Sequence, residues 1–305
     1  MSSWESLVRM GVVHFMAYPQ TKNGVEGVSE TVGKIARDDF FQAIEISWIK
    51  DEEELKATQR LLAGSGLDVA FAAQLPLIAE GLDLNALDPA ERRRAVDFTK
   101  GWMDQAVSLG ASGFAVLSGI HPGKDKEREA VDALVESLKE LCQAGGEKGL
   151  NLVLESFEHD VKRQLRLVGP TRRAAEVSER VREDCDNFGI LVDLSHLPLL
   201  EESPSQAIAD AGPHLVHAHI GSCVKDDESH PCFGDTHPPF FMEGGANGVE
   251  EVVAYLKALW DSGFFKRNER PLLSFEVSPR KGDDPDVVLA GAKRVFREAW
   301  SRAFG

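Results

Sequence analysis

The chain has 305 residues, 43% hydrophobic and 28% charged, the balance of an ordinary globular protein. Fifty acidic against 34 basic side chains give a formal charge of −16, which argues against a surface built to bind a nucleic-acid backbone. No apolar run approaches the ~18 residues of a membrane span, and residues 1–7 carry no secretory signal, so a cytoplasmic protein is expected. The cysteines, Cys142, Cys185, Cys223 and Cys232, fit no zinc-finger spacing. Cys223 and Cys232 share one loop and could bridge, but reduced thiols are the expectation.

Strand and helix patterns alternate along the whole chain. A strand at 11–18 precedes a helix at 29–37. A strand at 43–49 precedes a helix whose acidic start, Asp51 to Glu54, suits the helix dipole. A strand at 67–73 leads through an apolar loop to a long helix at 88–109, with Pro89 just inside its start. Strand 113–118 precedes helix 126–148, and strand 151–157 precedes helix 171–183. Strand 188–194 and a short helix at 205–210 follow. Strand 215–220 with helix 249–260, and strand 272–277 with helix 285–303, complete eight units. Right-handed crossovers close eight such units into an α/β fold, a (β/α)8 barrel of one domain spanning 1–305. A doubly wound open sheet is the runner-up. The loop at 221–248 far exceeds the usual two to six residues. Its His, Pro and aromatic content predicts a structured wall over the active site.

Four of the later strands end on a residue able to bind a metal. They read Leu-Val-Leu-Glu155, Ile-Leu-Val-Asp193, Leu-Val-His-Ala-His219 and Leu-Leu-Ser-Phe-Glu276. Buried parallel strands are apolar throughout, so a charged group at their C-terminal ends belongs to the mouth of the barrel, where catalytic groups sit. Glu155, Asp193, His219 and Glu276 are therefore expected to converge on one divalent cation. Three carboxylates and one imidazole favour Mn²⁺, with Mg²⁺, Co²⁺ or Zn²⁺ as alternatives. Such a cation would polarise a carbonyl and stabilise the enediolate left by proton loss, with Glu155 and Glu276 as acid and base.

Other residues are weaker candidates for contact with substrate. His196, three residues after Asp193, is expected to bind a substrate hydroxyl or act as acid/base. His217 faces the same side as His219, one layer deeper, and reads as its supporting partner or a substrate contact. His14 could point into the mouth. Glu158 and His159 could reach substrate from the loop after the fifth strand. Trp48, Phe240 and Phe241 could form an apolar wall for a sugar ring.

With Glu155, Asp193-Leu-Ser-His196, His217-Ala-His219 and Glu276 in place, the chain resembles the xylose-isomerase-like barrels. That group includes sugar isomerases, ketose 3-epimerases and metal-dependent apurinic endonucleases. The resemblance implies a TIM barrel and a sugar isomerase or epimerase in which the two glutamates exchange protons with substrate and His196 contacts it. It also implies association into homo-oligomers and leaves room for a small partner subunit. The epimerase Arg after the seventh-strand histidine is absent, since that stretch reads Gly221-Ser-Cys-Val-Lys225. The epimerase substrate-binding Glu a few positions after the fifth-strand ligand is also unmatched in spacing. These departures keep open a lyase that eliminates the aglycone of a 3-keto-glycoside, as the large subunit of C-glycoside deglycosidases does. A non-catalytic metal- or sugar-binding module is the third reading. Too few strand-end histidines and an acidic surface argue against DNA repair.

Overall fold

The computed structural model describes residues 3–157, 166–266 and 270–305. Each short apolar run forms one parallel strand: β1 Arg9–Val12, β2 Ala43–Ile46, β3 Asp68–Ala72, β4 Ala111–Leu117, β5 Asn151–Glu155, β6 Phe188–Asp193, β7 Leu215–Ile220 and β8 Leu272–Phe275. They pair in the order β1-β8-β7-β6-β5-β4-β3-β2. Between β1 and β2 the seam is thin: the Gln42 N–H donates to Met10 O at 2.8 Å, and Val13 bridges Glu45. The sheet is thereby a nearly closed barrel, with the (β/α)8 TIM barrel fold expected from the strand pattern.

In chain order the helices are α1 His14–Ala17, α2 Val28–Ala36, α3 Glu52–Ser65, α4 Gln74–Ala79, α5 Pro89–Gly101, α6 Met103–Ser108, α7 Glu127–Gly146, α8 Thr171–Arg182, α9 Pro204–Ala211, α10 Val249–Asp261 and α11 Pro285–Phe304. Their starts are encoded locally. Asp51, Asp88, Ser203 and Asp284 accept from the first free N–H groups of α3, α5, α9 and α11. Pro occupies the first turn of the last three, where its missing donor costs nothing. No helix among the described residues is long and apolar enough to cross a membrane.

Two features differ from the sequence expectation. The first strand ends at Val12, and residues 14–17 form a helical turn, so His14 leaves the strand line. The apolar stretch after β3 forms α4, while the long helix expected at 88–109 breaks at Trp102 into α5 and α6. All four cysteines are free thiols.

Strand alternation sends one set of side chains to the helices and the other to the barrel axis. Phe71 and Phe114, paired in register on β3 and β4, are fully buried and stack with centroids 5.3 Å apart. Along the axis the lining is small on one side: a Cβ at Gly11 would collide with Ser274 Oγ and lie 3.4 Å from the Cβ of Ala43. Phe71→Ala is expected to cost about 3 to 5 kcal/mol by leaving a cavity under Phe114. Urea unfolding read by circular dichroism measures it, and a midpoint unchanged from wild type would mean that the stacked pair is not part of the cooperative core.

Candidate metal centre and its surroundings

The side chains at the ends of β5, β6 and β7, with Glu276 one residue beyond β8, meet at the barrel mouth. Asp193 lies directly beside His219 in the β6–β7 register. Glu276 stays tied to β7 through its N–H to Ile220 O at 3.0 Å. One donor atom each from Glu155, Asp193, His219 and Glu276 lies within 4.8 Å of all the others. His219 Nδ1 is 2.7 Å from Glu276 Oε2 and 3.8 Å from Glu155 Oε1. Glu155, Asp193 and His219 are buried, and Glu155 Oε1 has no hydrogen-bond partner there. A buried oxygen of this kind is costly without a counter-charge. The donor set therefore fits a hard divalent cation.

Each of these groups is held from behind. Gln74, at the start of α4, donates to Glu155 Oε2 at 2.9 Å. The Ser195 N–H and hydroxyl donate to the two Asp193 oxygens at 2.8 and 2.5 Å. Glu45 of β2 accepts from His219 Nε2 and from His217 Nε2, both at 2.9 Å.

The loop at 221–248 closes one side of the site and is tied down at both ends. The Ala246 N–H donates to Cys223 O at 2.8 Å and the Gly234 N–H to Val224 O at 2.7 Å. The Asn247 amide donates to Leu194 O and Gly221 O. Its inner residues are Asp235 and His237. His237 Nε2 is 2.7 Å from Asp235 Oδ1 and 3.6 Å from Glu276 Oε1, and its Nδ1 is 3.7 Å from Asp193 Oδ2. His237 sits at φ 51°, a region side chains other than Gly rarely adopt. Its carbonyl is held there by the Ser278 N–H at 2.6 Å. Gly221 makes this approach possible, since a Cβ there would meet Glu276 O at 2.5 Å and His237 Nδ1 at 3.3 Å. His196 Nε2 lies 3.3 Å from Asp235 and 3.7 Å from Asp193, and its Nδ1 donates to Ser156 O at 2.8 Å. Asp193, His196 and His237 thus form a second close group of donors that could hold an ion.

Charge is distributed unevenly across this cluster. Burial, reinforced by the charge of Glu276, pushes Glu155 up to about 8. Burial acts in the same direction on Glu276, but His237 and His219 outweigh it and bring the group down to about 2. Burial opposes the charge of His237, yet Asp235 and Glu276 raise it to about 10. Half-buried Lys22, on the loop after β1, is lowered by burial and partly restored by Glu276 and Asp235. A basic side chain therefore stands within electrostatic reach of the carboxylates.

The residues expected to contact substrate are dispersed. His196 is in the cluster, and His217 lies one layer below it against Glu45. His14 is buried and turned to α2. The Thr31 hydroxyl donates to Gly27 O, so His14 Nε2–H donates to Thr31 Oγ1 at 2.7 Å. Trp48 is buried, with its Nε1–H on Lys22 O at 2.8 Å and its ring edge-on to Trp102. Phe240 belongs to the apolar core, and exposed Phe241 lies beside Gly291 of α11. His14, Trp48 and Phe240 are each engaged in packing or hydrogen bonding with a neighbouring helix or loop. Glu158 and His159 fall outside the described residues. Glu45, Gln74, Asp235, His237 and Lys22 were not singled out from the sequence. A charged residue inside the apolar run Ala43-Ile-Glu45-Ile46 and the Asp-x-His spacing at 235–237 were the available signals. A cavity of about 440 Å³ opens at the opposite end of the barrel, lined by Arg9, Asp68, Asn151 and His217 among others. It faces the N-terminal ends of the strands and contains none of the mouth carboxylates.

The profile of the xylose isomerase-like TIM barrel family matches residues 34–298, and the chain belongs to that family. No curated protein sequence gives a significant match. Among solved structures, the D-psicose 3-epimerase of Clostridium cellulolyticum H10 with D-tagatose is 17% identical, over 96% of each chain, with a TM-score of 0.63. The 3-keto-D-glucoside 4-epimerase of E. coli is 15% identical, over 94% of this chain and 98% of that one, with a TM-score of 0.66. The zinc-bound IolI protein is 16% identical, over 98% of this chain and 100% of that one, with a TM-score of 0.71. At these identities the likeness establishes the fold.

Asp193→Asn is expected to weaken Mn²⁺ binding at least about ten-fold in isothermal titration; unchanged affinity would remove Asp193 from the donor set. His14 gives a separate expectation. Burial lowers it to about 3, so folded protein resists a proton that the unfolded chain accepts near pH 6.5. Stability is therefore lost as pH falls below about 6.5. His14→Gln should narrow the gap between urea midpoints at pH 7.5 and pH 5; an unaltered gap would show that His14 is not held neutral.

Proposed function

We propose that this chain is a divalent-metal-dependent sugar isomerase or epimerase that removes a proton from the carbon beside a carbonyl. The observation that carries the reading is the pair Glu155 and Glu276, which approach His219 Nδ1 at 3.8 and 2.7 Å in one group of donors. When bound at Glu155, Asp193, His219 and Glu276, a cation supplies Lewis-acid polarisation of the carbonyl and counter-charge for the enediolate. Mn²⁺ suits the donor set best.

The chain's own residues do the rest. One of the two glutamates takes the carbon-bound proton and the other returns one, on the same face for isomerisation or on opposite faces for epimerisation. His196, fixed by Ser156 O, turns Nε2 toward Asp193 and Asp235 and binds a substrate hydroxyl. The loop bearing Asp235 and His237 excludes water from the reactive oxygens. The printed names of the structural relatives, D-psicose 3-epimerase and 3-keto-D-glucoside 4-epimerase, support a sugar substrate. The absence of a Gly-rich phosphate cradle in the sequence favours an unphosphorylated one.

One observation favours a second reading. The Asp235–His237 pair brings a further acid/base group to 3.6 Å from Glu276, where it could protonate a departing oxygen in a lyase acting on a 3-keto-glycoside.

Mn²⁺-loaded protein in D₂O with ketoses and 3-keto-glucosides, followed by NMR, separates the two. Deuterium entering a sugar with no group lost supports the isomerase or epimerase; release of an aglycone supports the lyase; neither would overturn both. Glu155→Gln and Glu276→Gln should each slow exchange by about 100-fold or more, and wild-type exchange in both variants would remove the two-carboxylate scheme.

A further inference from the structure

Glu45 is a carboxylate inside an apolar strand, 1% exposed and with no Lys or Arg at ion-pair distance among the described residues. Taking such a charge out of water costs several kcal/mol, and among the described residues the groups at ion-pair distance are two imidazoles. Its Oε1 lies 2.9 Å from His217 Nε2 and 2.9 Å from His219 Nε2. The two rings stand 4.9 Å apart at 86°, so a single oxygen meets the edge of each. A carboxylate oxygen only accepts, so both Nε2 atoms carry hydrogen.

This fixes the chemistry of His219. With Nε2–H committed to Glu45, the nitrogen left to face the barrel mouth is Nδ1, which is the atom beside Glu276 Oε2 and Glu155 Oε1. We infer that Glu45, clamped by His217, is a positioning residue that makes His219 meet a cation through Nδ1. The inference rests on the metal-binding part of the proposed function and adds to it which nitrogen binds and what holds it.

The rest of the barrel is shaped to let Glu45 do this. Glu45 rises from β2, and its partners are on β7, with β1 and β8 between them. On that path Gly11 of β1 pairs with Ser274 of β8, and a Cβ at Gly11 would collide with Ser274 Oγ and crowd Leu272 Cδ1. The small pair Gly11 and Ser274 leaves room beside the Glu45 side chain. The His-x-His spacing of β7 supplies both clamped rings, because residues two apart on a strand face the same way. His217 takes the lower position and reaches the cavity at the far end of the barrel. Its hydrogen bond goes to Glu45, and its ring packs edge-on against that of His219. A carboxylate behind a metal-binding imidazole fixes its tautomer and raises its basicity, and losing such a partner typically weakens metal binding about 10- to 100-fold.

The first test uses wild-type protein, so it does not depend on a variant folding. With ¹⁵N-histidine protein loaded with ¹¹³Cd²⁺, scalar coupling to the metal is expected at His219 Nδ1, while Nε2 keeps its proton. Coupling at Nε2, or at neither His219 nitrogen, overturns the inference but leaves a metal centre standing. Failure to bind any divalent cation overturns this inference together with the metal part of the proposed function. The second test separates positioning from simple packing. Glu45→Gln keeps an oxygen able to accept from both rings but removes the charge, and should weaken Cd²⁺ and Mn²⁺ binding about ten-fold. Wild-type metal affinity in Glu45→Gln, with only the melting temperature lowered, would reduce Glu45 to a structural group and sink the proposal.

Discussion

The mouth of this barrel depends on one constraint: several carboxylates are confined out of water within a few ångströms, and each must find a positive or hydrogen-donating neighbour. Glu45, Glu155, Asp193, Asp235 and Glu276 stand among His196, His217, His219 and His237, with Gln74 donating to Glu155 Oε2 and Ser195 to both Asp193 oxygens. Unmatched, such charges would disfavour folding by more than a domain's whole margin of stability. Matched, they are preorganised and cannot swing out to solvent. The same arrangement leaves a group of donors that could hold a cation, because Glu155 Oε1 is buried without a partner.

That constraint explains features of the fold with no other evident cause. Gly221 is a glycine because His237 and the Glu276 carbonyl need its Cβ volume. His237 adopts a left-handed backbone because only then does the loop deliver its ring against Asp235 and Glu276 while its carbonyl meets Ser278. The long loop after β7 is a built wall, stitched by backbone bonds at Cys223 and Val224 and by the Asn247 amide. Its two inward residues extend the site beyond what the strands provide.

The site has two sides of different character. Glu155 rests against Gln74 in an environment that favours its protonated form. Glu276 lies among imidazoles that favour its ionised form. Two chemically identical carboxyls, a few ångströms apart, are thereby given different tendencies by their surroundings.

The sequence by itself determined a great deal. Eight alternating units define a barrel, and the candidate ligands at the ends of the last four strands meet at its mouth, because apolar strands leave a charged end residue only the mouth to occupy. Eight helices begin within two residues of their predicted starts, since caps such as Asp88 and Pro89 are local signals. Only the tertiary structure decided the rest. His14 and Trp48 lie just beyond strand ends and Phe240 on the loop after β7, but their hydrogen bonds and packing partners come from helices and loops that strand periodicity does not report. Glu45 stands in mid-strand rather than at a strand end, and its partners are 172 and 174 residues away. Asp235 and His237 come from a loop whose path obeys no periodicity. Periodicity reports which face of an element is buried. It carries no information on which distant side chains share that buried space, and that pairing, made across the barrel axis, is what builds the site.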